Sequence, residues 1–158
     1  MSLGAGLPDS GSSPLDAAFA RLLVDSYRRV VGTPLIGATL DAARHLYAEA
    51  PFGLLAHDTA DDPRFTYANL VAQHAFERDW TELRGMPSRL SAEPARQEDR
   101  DALVHAVATH GFVSGYRGRR IAKSGRRFWI EDVTMWNLID DTGVKHGQAA
   151  MFARITAA

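Results

Sequence analysis

The 158-residue sequence contains no cysteine. This absence excludes disulfides, thiolate nucleophiles and cysteine-ligated metals, and it is typical of cytoplasmic proteins, a location that we expect here. Long apolar runs are also missing, and the first residues lack the basic and apolar regions of a signal peptide. We therefore expect no contact with a membrane.

An excess of one charge is lacking as well. The 18 basic and 19 acidic residues leave a formal net charge of −1, which argues against a nucleic-acid partner. The P-loop, GxGxxG, HExxH and GxSxG motifs of common enzyme classes do not occur. With 46% hydrophobic residues the chain can bury one core, so we expect a single domain over residues 14–158. Residues 1–13, rich in Gly, Ser and Pro, are predicted to form a disordered tail.

Residues 112–139 are the most informative stretch that is present. Apolar and charged residues alternate here with a period of two, which predicts two antiparallel strands. Lys123, Ser124 and Gly125 interrupt the pattern and predict a tight turn, because glycine tolerates positive φ. A second turn at residues 140–143 precedes a third strand at residues 145–155. One face of this meander must be covered by earlier segments.

The earlier segments supply mostly helices. Helical periodicity predicts helices over residues 14–30 and 39–49, capped by Ser13 and Thr39. Further elements follow: strands at 52–56 and 64–67, a helix at 70–76 capped by Asn69, a capping box at 79–82, a loop at 86–88 and a helix at 95–110 ended by Gly111. This order predicts an α+β fold: a five-stranded antiparallel sheet with helices on one face, preceded by two extra helices.

The order of elements resembles that of a PAS domain, and seven stretches are similar to the MEKHLA family, which is PAS-like. The stretches are residues 46–58 (LYAEAPFGLLAHD), 65–69, 86–94, 115–121, 125–131, 135–143 and 147–152. The resemblance implies a sensory module that binds a small molecule between the sheet and the short helices, or that mediates protein–protein interaction. It implies no catalytic activity. The residues leave open a second hypothesis, a small cofactor-free isomerase or hydrolase that uses Asp132 and a histidine.

The expected pocket follows from strict alternation, which places Phe128, Ile130, Asp132, Thr134, Trp136 and Leu138 on one face of their strand. By comparison with PAS-like domains, that face is the inner one. The predicted ligand-binding residues are Tyr67, His74, Tyr116, Arg120, Phe128, Ile130, Asp132, Trp136 and Phe152. A buried Asp132 needs a partner, and Arg120 on the neighbouring strand is the natural one. The pair would be either a structural ion pair or an anchor for a small acidic or hydrogen-bonding ligand.

The cofactor stays open at this point. No two of the six histidines have a convincing metal-binding spacing. By fold analogy, His105 on the last helix is a candidate haem ligand. Residues 123–129 resemble a hairpin of flavin-binding PAS photoreceptors, but the lack of cysteine excludes their covalent adduct. Non-covalent flavin is disfavoured by Ile130 and Phe152, which stand where the resemblance implies hydrogen-bonding amides.

Two surface features complete the expectations. A basic cluster around the hairpin (Arg117, Arg119, Arg120, Lys123, Arg126 and Arg127) is interpreted as a solvated face, with Glu131 and Asp132 as candidate partners. Strict alternation also predicts an outer sheet face that carries Trp129, Val133 and Met135. Because a large apolar patch needs a cover, we predict a homodimer through the first helix and this outer face.

Overall fold

A computed structural model of the chain describes residues 13–93 and 96–158. Its centre is one five-stranded sheet in the order β2-β1-β5-β4-β3, with every neighbouring pair antiparallel. The strands are β1 (Gly53–His57), β2 (Phe65–Ala68), β3 (Phe112–Ile121), β4 (Arg127–Ile139) and β5 (Lys145–Ala157). The predicted sheet is confirmed. The predicted tail lies, except for Ser13, outside the described residues.

Helix α1 (Ala17–Val31) crosses one face of the sheet, called here the outer face. It begins later than predicted because the carboxylate of Asp16, rather than Ser13, caps it: Oδ1 accepts from the amides of Ala18 at 2.8 Å and Phe19 at 3.1 Å. It ends at Gly32, whose φ of 97° is left-handed, as the sequence predicts.

The other helices are short, apart from the last. The predicted helix over 39–49 is instead α2 (Ala42–Arg44) followed by one turn of π-helix (His45–Glu49), and Asp41 rather than Thr39 caps it. Helices α3 (Leu70–Phe76), α4 (Trp80–Leu83) and α5 (Gln97–His110) lie on the inner face, and a 3₁₀ helix (Ser88–Ser91) replaces part of the predicted loop. The capping box of Asp79 and Glu82 is present as predicted.

Asn69 fixes α3 to the sheet. Its Oδ1 accepts from the amides of Leu54 at 3.0 Å and Ala72 at 3.1 Å. Its Nδ2 donates to the carbonyls of Leu46 at 3.0 Å and Phe52 at 2.9 Å. The buried side chain therefore satisfies its amide fully while it joins β1, α3 and the π-helical turn.

The backbone of β4 changes its alternation at Asp132. This residue has a φ of 54°, in the left-handed region, and the pairing of β3 with β4 shifts register nearby. Phe128 and Ile130 therefore face inward as predicted, but beyond the kink Val133 and Met135 face inward instead of outward. Strict alternation across residues 128–138 is wrong from Asp132 onward, because one left-handed residue moves every later side chain to the opposite face.

Trp136 and Leu138 consequently belong to the outer core, beneath α1. The apolar side of α1, with Phe19, Leu23 and Tyr27, is buried against its own sheet. Two of the three residues on which the predicted dimer face was based, Val133 and Met135, lie on the inner face, so that face is not as predicted. Dimerisation itself stays a prediction, which light scattering on the intact protein would test. Within the described residues, no helix has both the length and the apolar character needed to cross a bilayer.

Candidate functional site

A cavity lies between the inner face of the sheet and the segment formed by the 3₁₀ helix and α5. Its apolar walls include Leu55, Leu103, Ile130, Val133, Met135 and Phe152. Its polar lining comprises His57, Ser88, Ser91, Arg100, Arg120 and Gln148. The cavity volume is about 50 Å³, measured as the space in which the centre of a water molecule can lie. This is several times the volume that one water needs. The mixture of apolar walls and a few polar groups is typical of small-molecule sites.

Arg120 reaches the cavity from β3. Its residue is only 7% exposed, and Nη1 donates to the carbonyl of Arg119 at 2.9 Å. Burial is the largest influence and lowers the pKa of the guanidinium; Tyr116 and the charge of Asp99 oppose this shift, whereas the charge of Arg100 adds to it. The group stays charged nevertheless, because arginine does not lose its proton in proteins. Among the described residues, no carboxylate lies within 4 Å of it.

The neighbourhood of Arg120 is tightly shaped. Its guanidinium carbon lies 6.0 Å from the ring centroid of Tyr116, which comes four residues earlier in β3 and lies on the same face. Between them is Gly118, where a Cβ would come within 2.6 Å of the Tyr116 ring and 2.7 Å of Arg120 Nη1. Glycine at this position therefore leaves the space that both side chains use.

Arg100 contributes a second guanidinium from α5. It is 8% exposed, Nη2 donates to the hydroxyl of Ser88, and Nη1 donates to Asp101 Oδ1 at 2.8 Å. Asp101 lies at the surface, with its side chain 66% exposed, so the cavity end of Arg100 is neutralised only from outside. The polar lining therefore carries two buried cations and one external carboxylate partner.

His57 supplies an unpartnered acceptor. Its Nδ1 lies 2.9 Å from the carbonyl of Asp58, and since a carbonyl can only accept, Nδ1 carries the proton. Burial lowers the pKa of the imidazole and so favours the neutral ring. The buried Nε2 then presents a lone pair, and it has no hydrogen-bond partner among the described residues.

Gln148, which pairs with His57 from β5, supplies a second unpartnered acceptor. Its Nε2 donates to the carbonyl of Val104 at 3.2 Å and to Asn137 Oδ1 at 3.1 Å. The carbonyl of Val104 fixes the orientation of this amide, because it must face the NH₂ group. Oε1 is left buried without a hydrogen-bond partner in the described part of the chain. An unpartnered buried acceptor costs about 1–3 kcal/mol unless something donates to it.

Three of the nine residues predicted to bind a ligand line this cavity: Arg120, Ile130 and Phe152. Tyr67 and Trp136 instead lie in the outer core, where Tyr67 stacks on Phe19 with ring centroids 5.7 Å apart. Phe128 packs on Phe76 at 5.0 Å in the inner core. His74 is exposed on α3, and Tyr116 lies at the β3 edge beside Arg120. Whether any of these residues binds a ligand stays a prediction.

Asp132 is outside the cavity altogether. Its side chain is 58% exposed and lies 3.9 Å from Arg154, measured from Oδ2 to Nη1. The predicted pair of Asp132 with Arg120 is therefore wrong, because the left-handed backbone at Asp132 turns the carboxylate to solvent. The hypothetical enzyme that uses Asp132 and a histidine in one pocket loses its carboxylate for the same reason.

The sequence reasoning missed His57, Ser88, Arg100 and Gln148. Two of them carry a signal in the sequence: His57 follows Leu55, and Gln148 precedes Ala150 and Phe152, at the spacing of two that shares a strand face. Arg100 and Ser88 have no such signal, because their positions depend on how α5 and the 3₁₀ helix pack on the sheet.

The remaining members of the basic cluster are each neutralised by a glutamate. The ion pairs join Arg117 to Glu131, Arg119 and Arg127 to Glu93, Lys123 to Glu82, and Arg126 to Glu77. Hydrogen bonds from Lys123, Arg127 and Arg117 hold the pKa of Glu82, Glu93 and Glu131 below the usual range, and hydrogen bonds from Ser124, followed by Arg126, do the same for Glu77. Arg120 is thus the exception in the cluster, both in its burial and in its lack of a carboxylate.

The cavity does not fit the larger cofactors of related folds. Small-molecule pockets usually measure 300–1,000 Å³, and a flavin or haem needs far more room than the roughly 50 Å³ found here. Ile130 and Phe152, both in the wall, offer a flavin no side-chain hydrogen bond. His105 is exposed on α5 and does not line the cavity. In the described residues no cluster of three or more His, Asp or Glu could hold a metal ion.

Solved structures with this fold include several PAS and light-oxygen-voltage (LOV) domains. The PAS domain of a protein from Colwellia psychrerythraea is 16% identical, with a TM-score of 0.58 over 71% of this chain and 90% of that one. An RNA-binding LOV receptor is 21% identical, with a TM-score of 0.60 over 75% of this chain and 35% of that one. The LOV domain of a blue-light activated histidine kinase from Erythrobacter litoralis is 16% identical, with a TM-score of 0.55 over 70% and 100%.

At these identities the likeness establishes the fold alone. No curated protein is similar enough in sequence to count as a match. The model of one protein family, described as the MEKHLA domain, matches residues 17–157, which is nearly the whole described domain. The seven stretches that resemble this family all fall inside that range. This chain therefore belongs to the MEKHLA domain family and has the fold of a PAS domain.

Proposed function

We propose that this chain is a sensory module that binds a small molecule in the cavity between the inner sheet face and α5. One observation carries the proposal: the cavity is lined by buried polar groups that the described protein leaves without partners. Folded proteins satisfy nearly all of their buried polar groups, and a native exception needs a reason. A ligand that supplies the missing partners is that reason here.

The family and the fold support this reading. PAS-like domains serve as sensory domains in several of the structural neighbours, such as the blue-light activated histidine kinase. In a sensor of this kind, occupancy of the cavity favours one conformation of the surrounding elements. The contact of Arg100 with Ser88 joins α5 to the 3₁₀ helix (Ser88–Ser91), so a ligand bound at Arg100 would act on both elements.

An enzymatic role has less support. Of the two groups in the enzyme hypothesis, Asp132 is exposed. His57, which lines the cavity, has no carboxylate bonded to its ring among the described residues, and its Nδ1 is bonded to a backbone carbonyl. General acid–base catalysis needs a group of suitable pKa that can exchange protons with the substrate. Burial lowers the pKa of His57, which makes it a weak base.

The test is native mass spectrometry on protein purified without heating or denaturation, which detects a retained compound as added mass. Ala150→Leu places a larger side chain into the wall of the cavity and should abolish the added mass. Ala153→Leu makes the same change at an exposed position of β5 and should leave it unchanged. Cooperative thermal unfolding of both variants checks that they fold.

The proposal is contradicted if the added mass survives in a folded Ala150→Leu protein, because the compound then binds elsewhere. It is also contradicted if the wild-type protein retains nothing and no compound in a broad thermal-shift screen raises its Tm. A ligand that binds only the native state must raise the Tm in proportion to the logarithm of its concentration.

A further inference from the structure

The cation of Arg120 is buried, and the protein compensates this only in part, through Tyr116 and the more distant charge of Asp99. Arg120 is 7% exposed, its one hydrogen bond of standard geometry goes to the neighbouring carbonyl of Arg119, and no carboxylate of the described residues is within 4 Å. Removing a cation from water without a counter-charge is among the most costly arrangements in a folded protein. The five other basic residues of the same hairpin all have a glutamate.

Arg100 strengthens this local excess of positive charge. It lies close enough that its charge contributes to lowering the pKa of both Arg120 and His57. Its only carboxylate partner among the described residues, Asp101, is on the solvent side. Arginine guanidinium groups bind carboxylates through parallel N–H donors, in a geometry that lysine cannot offer. The charge of the cavity lining therefore favours an anionic ligand that Arg120 can bind directly.

The other unpartnered groups of the lining are acceptors and need hydrogen-bond donors rather than an anion. His57 Nε2 and Gln148 Oε1 are both acceptors, and both are buried in the lining. A halide or a plain carboxylate offers them nothing, because it has no hydrogen to donate. A ligand that contacts both kinds of group must carry an acid group at one end and at least one O–H or N–H donor at the other.

The volume of the cavity limits the size of the ligand. A volume of about 50 Å³ corresponds to a few water-sized groups, so a ligand of roughly six non-hydrogen atoms fits and a dinucleotide or sugar phosphate does not. The walls of Leu55, Val133 and Met135 favour a short apolar segment between the polar ends.

We propose that the cavity binds a small hydroxycarboxylic acid, whose carboxylate pairs with Arg120 and Arg100 and whose hydroxyl donates to Gln148 or His57. This inference rests on the proposed function, which it makes specific. It gives a partner to Arg120 and to one of the two unpartnered acceptors of the lining, and it explains why the arginine of the hairpin that has no carboxylate partner points inward.

The first experiment compares three probes by isothermal titration calorimetry at neutral pH. Lactate has both groups, propionate has the acid alone, and propane-1,2-diol has the hydroxyl groups without the acid. We expect lactate to bind, propionate to bind about tenfold more weakly because one hydrogen bond is lost, and the diol not to bind measurably. Inorganic phosphate serves as a fourth probe, for a site that takes any anion.

The second experiment replaces the cation. Arg120→Met keeps a long side chain but removes the charge, and should weaken lactate binding by at least about tenfold. In the absence of ligand it should unfold at the same or a higher urea concentration than the wild type, because an unpaired buried charge is removed. Arg117→Met is the matched control, since Arg117 is exposed and paired with Glu131, and should leave lactate binding unchanged.

Four results would overturn the inference. Equal lactate binding by Arg120→Met would show that the cation is not the anchor, and a large loss of stability in that variant without ligand would make Arg120 structural. Equal affinity for phosphate and lactate would assign the site to inorganic anions. If no acid probe binds while native mass spectrometry finds another retained compound, the ligand class is wrong and the proposed function stands.

Discussion

Trp136 donates a hydrogen bond from its indole Nε1 to the hydroxyl of Ser26, 3.0 Å away, and thereby joins β4 to α1. Both residues are completely buried, and the ring of Tyr27 meets Trp136 edge-on with centroids 4.8 Å apart. Trp136 is therefore the centre of the outer core and does not line the cavity. Its aromatic character, which led to its prediction as a pocket residue, serves the contact between α1 and the sheet.

Ser26→Ala should destabilise the protein by about 1–3 kcal/mol, because the indole N–H is then left buried without an acceptor. Urea denaturation monitored by tryptophan fluorescence gives the free energy of unfolding. Ser114→Ala, at an exposed position of β3, is the control and should change it by less than about 0.5 kcal/mol. Ligand binding should be unaffected by Ser26→Ala, and a selective loss of binding would place Trp136 in the site after all.

The second prediction concerns the left-handed backbone at Asp132. A φ of 54° is tolerated by Asp, Asn and Gly but is strained for a β-branched residue. Asp132→Val should therefore cost about 2 kcal/mol of stability, whereas Asp132→Asn should be nearly neutral, since the pair with Arg154 is long and exposed. Equal urea midpoints for the two variants would show that this kink is not maintained in solution.

Asp132 also marks the limit of what could be predicted from the sequence. The signals that predicted the fold are local: Asn69 and Asp79 cap helices, Gly111 ends one, and Gly125 forms the hairpin turn. Such signals depend on neighbours in the chain, so the element order and the five-stranded sheet were predictable from residues and resemblance together. A left-handed residue inside a strand has no comparable signature, because aspartate is compatible with both a regular and a kinked strand.

The site could be predicted only in part for that reason. Arg120, Ile130 and Phe152 were assigned to the correct face because they lie before the kink of β4 or on other strands. Trp136 and Asp132 were assigned to the wrong surroundings because they lie at or beyond it. Arg100 depends on the packing of α5 against the sheet, which is a long-range property that the pattern of one helix does not contain.

Acid stability should depend on Asp140, which organises the turn between β4 and β5. Its carboxylate accepts from Thr142 Oγ1 at 2.6 Å, His146 Nε2 at 2.7 Å and the Val144 amide at 3.0 Å. These bonds, that from Thr142 foremost, hold the pKa of Asp140 far below its usual value of 3.8. A carboxyl group whose pKa is lower in the folded state stabilises the protein above pH 4, and this contribution is lost as the pH falls.

Asp140→Asn should therefore lower the Tm at neutral pH, and its deficit relative to the wild type should shrink as the pH is lowered through 4 towards 2. Differential scanning fluorimetry across this pH range provides the measurement. Asp141→Asn, at the exposed neighbouring position, should follow the wild-type curve. A Tm deficit for Asp140→Asn that is the same at every pH would mean that the ionised carboxylate is not what stabilises the turn.

The last prediction concerns Gly147, where β5 passes very close to β1. Its φ is 145°, and a Cβ built there would lie 1.9 Å from the carbonyl oxygen of His57, a backbone atom that cannot swing aside. Gly143 also has a positive φ, 90°, but a Cβ there would meet no atom within 4 Å. Both Gly→Ala variants bear the conformational penalty of positive φ, so the difference between them isolates the collision.

Gly147→Ala should cost about 3 kcal/mol more than Gly143→Ala in urea denaturation, because the two strands must separate locally to admit the methyl group. The separation would also displace His57 from the cavity, so any ligand that donates to its Nε2 should bind more weakly to Gly147→Ala than to Gly143→Ala. Equal losses of stability in the two variants would contradict the close approach of β5 to β1. Unchanged ligand binding in a destabilised Gly147→Ala protein would remove His57 from the binding site while leaving the strand contact intact.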